Sequence, residues 1–276
     1  MLASLIIVFR EVIEAGLILG IVLAATRGVG GRGRMVAAGL AAGLAGAVLV
    51  ALFAGRIEAL FAGSGQELLN VTILAAAVGM LAWHNAWMSR HGRAMGEGLR
   101  SLGHAVREGR RPLAALGIVI AVAVLREGSE VVLFLYGVAA GGAGAWAMAA
   151  GGAFGIAAGG LVALLMYRGM LTIPTRHIFT ATSTMISLLA AGMAADAAAI
   201  LQQAGFAQFL YTPLWSTAWL LGDGSIPGRM LHTLIGYTAR PDGLQLLAWA
   251  ATLAGFFLLT RAFAAPARRP APASAT

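Results

Sequence analysis

Two short blocks of charge, Arg10-Glu11-Val12-Ile13-Glu14 and Arg126-Glu127-Gly128-Ser129-Glu130, each interrupt a long apolar run of the sequence. Residues three apart share a face of a helix, so each block presents two carboxylates side by side. Carboxylate oxygens suit hard cations, and a charge at mid-bilayer costs at least about 2.5–3.5 kcal/mol. The pattern predicts a metal-ion site with Glu11, Glu14, Glu127 and Glu130 as ligands and with Arg10 and Arg126 in support.

The composition places these blocks in a membrane. Of the 276 residues, 59% are hydrophobic and 11% charged, whereas soluble domains have roughly 25% charged residues. There is no cysteine, which excludes disulfides and thiolate metal sites. The net charge of +8 comes from arginine alone. The arginines cluster in short loops, which indicates membrane topology rather than nucleic-acid binding.

The apolar segments predict an all-α membrane protein with seven transmembrane helices, because about 20 apolar residues cross a bilayer. With seven spans, 14 of the 19 arginines lie in loops or chain ends on the same side of the membrane. Positively charged loops normally stay in the cytoplasm, so this side is predicted to be cytoplasmic. The N-terminus is then outside and the C-terminus cytoplasmic. The predicted spans are 2–25, 35–54, 67–89, 113–138, 144–167, 178–203 and 244–263.

An internal repeat covers most of the chain, with repeat one at 1–89 and repeat two at 113–203. Its matches include the two charged blocks, two GxxxG patterns, and Gly79-Met80 with Gly192-Met193. Each repeat has three spans, so the repeats must be inverted in the membrane, an arrangement typical of transporters. The helix at 244–263 stands outside them. Residues 1–265 are thus predicted to form one permease domain, followed by a disordered tail at 266–276. We interpret the GxxxG patterns as helix packing.

Inversion also predicts which charges meet. At a rise of 1.5 Å per residue, Arg10 lies at the same depth as Glu130, and Arg126 at the same depth as Glu14. We therefore expect Arg10 to face Glu130 and Arg126 to face Glu14. The arginines would balance the carboxylates until a cation arrives. The alternatives are an ion-pair network that only fixes helix packing and a proton relay that binds no metal.

The duplicated R-E-x-x-E motif resembles that of the oxidase-dependent, high-affinity iron permeases of fungi and their bacterial counterparts. The resemblance extends to Trp83-His84-Asn85-x-Trp87 and to the segment 213–246. It implies uptake of ferric iron across the cytoplasmic (inner) membrane and no bound cofactor. It also implies a separate extracytoplasmic ferrous oxidase or iron-delivery protein. The partners expected are thus iron, that protein and the lipid bilayer, with no nucleic acid.

Two further residues are possible site members. Asp196 lies in the outer half of the sixth span, and its alternative role is a hydrogen bond to a neighbouring helix near the interface. His84 lies between Trp83 and Trp87. Tryptophans near a membrane boundary are normally interfacial anchors, so we interpret this cluster as an anchor. The alternative is that His84 is a metal ligand at the inner exit.

The two longest predicted loops are expected to be structured. The loop 90–112 is expected to contain a surface helix, and 204–243 an interfacial or re-entrant helix or a docking surface. The first alternative function is a permease for lead or another divalent cation. The second is a membrane-embedded di-metal enzyme; carboxylate-bridged di-iron bundles normally supply E-x-x-H histidines, and neither block has one.

Overall fold

The computed structural model describes residues 1–60, 65–169 and 175–264. Within these residues the chain forms helices and no strand, apart from one isolated bridge between Pro213 and Asp242. The predicted tail at 266–276 lies outside the described residues. The helices are α1 (Leu2–Ala25), α2 (Arg32–Leu60), α3 (Gln66–Arg107), α4 (Ala114–Ala140), α5 (Ala145–Tyr167), α6 (Thr175–Gln203), α7 (Ile226–Ile235) and α8 (Gly243–Ala264).

Five of these helices are long and apolar enough to cross a membrane: α2, the first part of α3 (Gln66–Met88), α5, α6 and α8. Helices α1 and α4 have the length to do so, but each carries three charged side chains in its middle. The prediction of an all-helical membrane protein is confirmed. The count of seven spans, the repeats and the orientation stay predictions.

The outer surface of the bundle is apolar. Large side chains along α2 and α5, among them Leu49, Phe53 and Phe154, are exposed. In water, such an extended apolar face would be an aggregation hazard. It is what lipid tails require, because helices satisfy their own backbone hydrogen bonds and can expose apolar side chains to hydrocarbon.

Helix α3 is longer than predicted. It runs from Gln66 to Arg107, about 63 Å at 1.5 Å per residue, whereas the sequence predicts a span at 67–89 and a surface helix within the loop 90–112. The apolar part of α3, Gln66–Met88, matches the predicted span. The predicted break after residue 89 was wrong, because no proline interrupts the stretch. The helix ends only before Gly109, whose φ of 75° is left-handed.

Glycines bring α5 into backbone contact with α1. They meet carbonyl oxygens of α1 in the same order along both helices: Gly151 at Met1, Gly155 at Leu5 and Gly159 at Phe9. The matching order means that α1 and α5 run parallel. A methyl group at Gly155 would lie 2.8 Å from the Leu5 oxygen and 2.9 Å from the Val8 Cβ, so this position has no room for a side chain.

The same contact recurs between α2 and α4. Gly39 lies against the Gly117 carbonyl, and Gly43 lies against Ala121 and Val124. These two helices therefore also run parallel. The interpretation of both GxxxG patterns as packing motifs is confirmed. Each charged helix is thus paired closely with one glycine-lined helix.

The predicted segment 204–243 contains one short helix, α7, which begins after Ser225 and ends at Gly236. The Ser225 hydroxyl accepts a hydrogen bond from the Gly228 N–H at 3.0 Å and caps the helix. Ten residues span about 15 Å, too short to cross a bilayer. Gly236 packs on Gly192 and so fixes α7 against α6. An interfacial or re-entrant position for α7 stays a prediction.

Replacing Gly155 by leucine is expected to destabilise the α1–α5 pair, because the new side chain would overlap the α1 backbone. Overpacking of this kind costs about 1–3 kcal/mol. The matched control is Gly160→Leu, on the exposed face of the same helix with nothing within 4 Å. Thermal unfolding in detergent should show a lower midpoint for Gly155→Leu only. Equal midpoints would contradict the assigned contact.

Candidate metal centre

The two charged blocks meet inside the bundle where α1 packs against α4. Their four glutamates, Glu11, Glu14, Glu127 and Glu130, and Arg10 are all at most 3% exposed. The spacing of three residues places both carboxylates of each block on the inner face of its helix. The predicted meeting of the two blocks is thus observed.

The pairing of the charges differs from the prediction. Arg10 Nε lies 2.9 Å from Glu14 Oε1, and Arg126 Nε lies 3.1 Å from Glu130 Oε1. Arg10 also donates a hydrogen bond of 3.3 Å to Glu11. The expected pairs of Arg10 with Glu130 and Arg126 with Glu14 are wrong, because each arginine reaches a carboxylate four residues along its own helix. An arginine and a glutamate at equal depth in the membrane therefore do not necessarily pair.

His84 of α3 joins the two blocks. Its Nε2 lies 3.2 Å from Glu14 Oε2 and its Nδ1 lies 2.5 Å from Glu130 Oε2. The side chain is 1% exposed, so the interpretation of His84 as part of an interfacial anchor was wrong. Trp83, one position earlier and about 100° around the helix, is 60% exposed and matches that role.

The sequence did contain a signal for His84. It continues the buried stripe of α3 formed by Leu74, Ala77 and Leu81, at the alternating spacing of three and four that marks the inner face of a helix. A polar residue at the next position of such a stripe faces the interior. The flanking tryptophans obscured this periodicity.

Four side chains could hold one metal ion. Glu11, His84, Glu127 and Glu130 each offer a ligand atom, and these atoms all lie within 4.8 Å of one another. Oε2 of Glu11 and Oε2 of Glu127 are buried without a hydrogen-bond partner among the described residues. Buried carboxylate oxygens are costly unless they are paired or coordinated, which favours a bound cation. Glu14, held by Arg10 and His84, is outside this group of four.

Apolar side chains pack on both sides of the centre along the helices. Towards the start of α1 lies cluster A, formed by residues including Ile7, Leu74, Phe134 and Ile186. Towards the end of α1 lies cluster B, formed by residues including Ile18, Val22, Leu116 and Ile120. The charged side chains occupy the layer between them. An ion in this layer would lie between the two apolar clusters.

Asp196 is not part of the centre. It lies on α6 with its Oδ1 3.6 Å from His232 Nε2 of α7, and it is absent from the group of four. The possible role of Asp196 as a site residue was therefore wrong for this arrangement. Its alternative role was a hydrogen bond to a neighbouring helix; Asp196 does face α7, but 3.6 Å is longer than a hydrogen bond.

Apolar helices long enough to span a bilayer surround a buried layer of carboxylates, an arrangement typical of membrane proteins that carry cations. The family model described as the iron permease FTR1 family matches residues 1–267. The chain belongs to that family, and it is a multi-pass membrane permease rather than an enzyme. The di-metal enzyme alternative is thereby set aside.

Named relatives agree with this assignment. Proteins named ferrous iron permease EfeU from Shigella sonnei (strain Ss046) and Escherichia coli O157:H7 are each 28% identical over 283 residues, covering 99% of both chains. The protein of the same name from Shigella flexneri is 28% identical over 210 residues, covering 76% of this chain and 88% of its own. No solved structure matches.

The observed pairing predicts a specific order of coupling energies. In double-mutant cycles on unfolding in detergent, Arg10→Gln should couple more strongly to Glu14→Gln than to Glu130→Gln. Contacting charged pairs couple by about 0.5–3 kcal/mol. The matched cycles on Arg126 should show stronger coupling to Glu130 than to Glu14. If both arginines coupled more strongly to the glutamate of the facing helix, the pairing across the helices would be supported instead.

Proposed function

We propose that this chain carries ferric iron into the cytoplasm across the inner membrane, through the layer between the two charged helices. The observation that carries the proposal is the group of four, Glu11, His84, Glu127 and Glu130, with ligand atoms within 4.8 Å of one another. The three ligand carboxylates supply three negative charges, which match one ferric ion. Membership of an iron permease family supports iron as the cargo.

The rest of the site has a supporting role in this proposal. Glu14 pairs with Arg10 and His84 and holds the imidazole in place. Arg126 pairs with Glu130 and supplies a positive charge when no iron is present. Incoming iron competes with Arg126 for the Glu130 carboxylate, so iron binding and movement of Arg126 are coupled.

The proposal also includes the topology and the delivery of iron. Residues 1–265 form one permease domain with seven spans and two inverted repeats, the N-terminus outside. The parallel pairs α1–α5 and α2–α4 agree with a chain that alternates in direction at each span. Resemblance to oxidase-dependent permeases supports a separate ferrous oxidase outside the membrane as the source of ferric iron.

Ferrous iron is the second candidate substrate. His84 adds an imidazole to the carboxylates, and imidazole suits iron, zinc and copper, whereas carboxylates alone suit harder ions. The relatives are named for ferrous iron. Lead or another divalent cation is a third possibility that the same site chemistry allows.

Replacing site carboxylates should abolish transport. Glu11→Gln and Glu127→Gln each remove one charge and one strong ligand, so uptake of radioactive iron into proteoliposomes should fall at least about tenfold, as for the loss of about 1.4 kcal/mol or more of binding. The matched control is Glu97→Gln, an exposed carboxylate on α3, which should transport normally. Normal uptake by both site variants, with protein levels equal to wild type, would refute the site.

Substrate choice can be tested in the same vesicles. We expect uptake from ferric citrate to exceed uptake from iron kept ferrous by ascorbate, because three carboxylates stabilise the trivalent ion more. His84→Asp, which makes the site all-carboxylate, should widen that difference. Faster ferrous uptake would select the second candidate, and full inhibition by equimolar lead would select the third.

A further inference from the structure

The two motif arginines are equivalent in sequence but not in environment. The Arg10 side chain is 2% exposed and the Arg126 side chain is 36% exposed. Arg10 contacts two carboxylates of its own helix. Among the described residues Arg126 has one carboxylate within ion-pair distance, that of Glu130. One end of the charged layer is therefore more open than the other.

Arg126 also has contacts that Arg10 lacks. Its guanidinium carbon lies 4.7 Å from the centre of the Trp87 ring, and one of its terminal nitrogens lies 3.4 Å from His84 Nδ1. Trp87 in turn stacks on His91, with ring centres 4.9 Å apart and planes inclined by 20°. His91 Nδ1 lies 3.1 Å from the Trp87 carbonyl. A continuous row of side chains leads away from the metal centre.

The direction of this row is set by α3. Along α3, Leu74 and Ala77 belong to cluster A, and His84, Trp87 and His91 follow in order. The row thus proceeds away from cluster A. It leads towards the end of the bundle where the arginine-rich loops lie, which the charge distribution places in the cytoplasm.

We propose that Arg126, Trp87 and His91 form the gate through which iron leaves the metal centre for the cytoplasm, an inference that rests on the proposed function. A cation cannot pass a fixed guanidinium, so Arg126 must move aside. Arg126 lies on the face of Trp87 while it pairs with Glu130, and aromatic rings attract guanidinium groups. Trp87 therefore holds Arg126 when iron takes its place at Glu130, and the ion pair with Glu130 forms again after iron is released.

At the opposite end of the layer, Arg10 lies against no aromatic ring in the described part of the chain. Arg10 is buried between Glu11 and Glu14, and Ile6 and Ile7 of cluster A lie one turn away on the same helix. The described structure is therefore closed more completely towards cluster A. Iron arriving from that side requires a larger rearrangement than iron leaving past Arg126.

Because the chain has no cysteine, a single introduced cysteine is the only thiol and reports access to water. In the full-length protein in oriented vesicles, His91→Cys should react with a membrane-impermeant methanethiosulfonate from the cytoplasmic face only. Ala77→Cys, in cluster A, is the buried control and should react from neither face. Reaction of His91→Cys from the outer face only, or from neither face, would overturn the gate.

A transport test separates gating from binding. Trp87→Ala should slow iron uptake at least about fivefold, by analogy with the loss of a partly buried cation–π contact, while iron binding to the purified protein changes little. Trp87→Phe, which keeps an aromatic face, should restore most of the rate. Unchanged uptake in Trp87→Ala, or an equal loss of binding and uptake, would show that Trp87 is not a gate.

A failure of the gate can be distinguished from a failure of the metal-centre assignment. If Glu127→Gln transports iron normally, the proposed function fails, whatever the accessibility of position 91. If Glu127→Gln is inactive but His91→Cys is inaccessible from the cytoplasm, the metal centre stands and the gate fails. Unfolding midpoints of all variants in detergent identify any that are simply misfolded.

Discussion

The structure depends on one electrostatic constraint: four carboxylates lie inside a bundle whose outer surface is apolar. An unpaired buried charge costs several kcal/mol, so each glutamate requires a positive partner, a proton or a bound cation. Arg10 and Arg126 neutralise one carboxylate each on their own helices. Each of the four glutamates has one buried oxygen without a hydrogen-bond partner in the described part of the chain. The oxygens of Glu14 and Glu130 lie within ion-pair distance of Arg10 and His84, so Oε2 of Glu11 and Oε2 of Glu127 are where a cation would be most stabilising.

Helix packing serves this constraint. Each charged helix lies so close to a glycine-lined helix that a carbonyl oxygen occupies the space that a Cβ atom would need. The contact fixes rotation as well as distance, because a side chain at Gly155 or Gly43 would clash. Fixed rotation keeps the charged face of α1 and that of α4 turned inward. The glycine patterns are therefore structural, yet the site could not form without them.

Sequence reasoning identified the parts of the site that belong to one helix. The i, i+3 glutamates, the interrupted apolar runs and the glycine patterns are local signals, and each was found where expected. The ion pairs were predicted wrongly because depth along the membrane leaves the choice between partners on the same helix and on the facing helix open. That choice depends on side-chain reach and on what a third helix inserts between them.

His84 is the side chain that α3 contributes between the two charged helices. Its role could not be predicted before the position of α3 in the bundle was known. The buried stripe of α3 points inward, but which helices it faces is a tertiary fact. The continuity of α3 was missed for a different reason: the arginines between 90 and 111 indicated a break after the span, whereas arginine is itself a good helix former. Charge located the membrane boundary without locating the end of the helix.

The unequal environments of the two motifs have their origin in this third helix. When Gly79-Met80 is matched with Gly192-Met193, the repeat counterparts of His84, Trp87 and His91 are Ala197, Ile200 and Ala204. The α6 side of the repeat thus offers neither an imidazole nor an aromatic ring at these positions. A duplicated motif alone would give a site with the same access from both faces. Different residues on α3 and α6 break that equivalence, and a transporter needs such a difference because entry and release must occur on opposite sides.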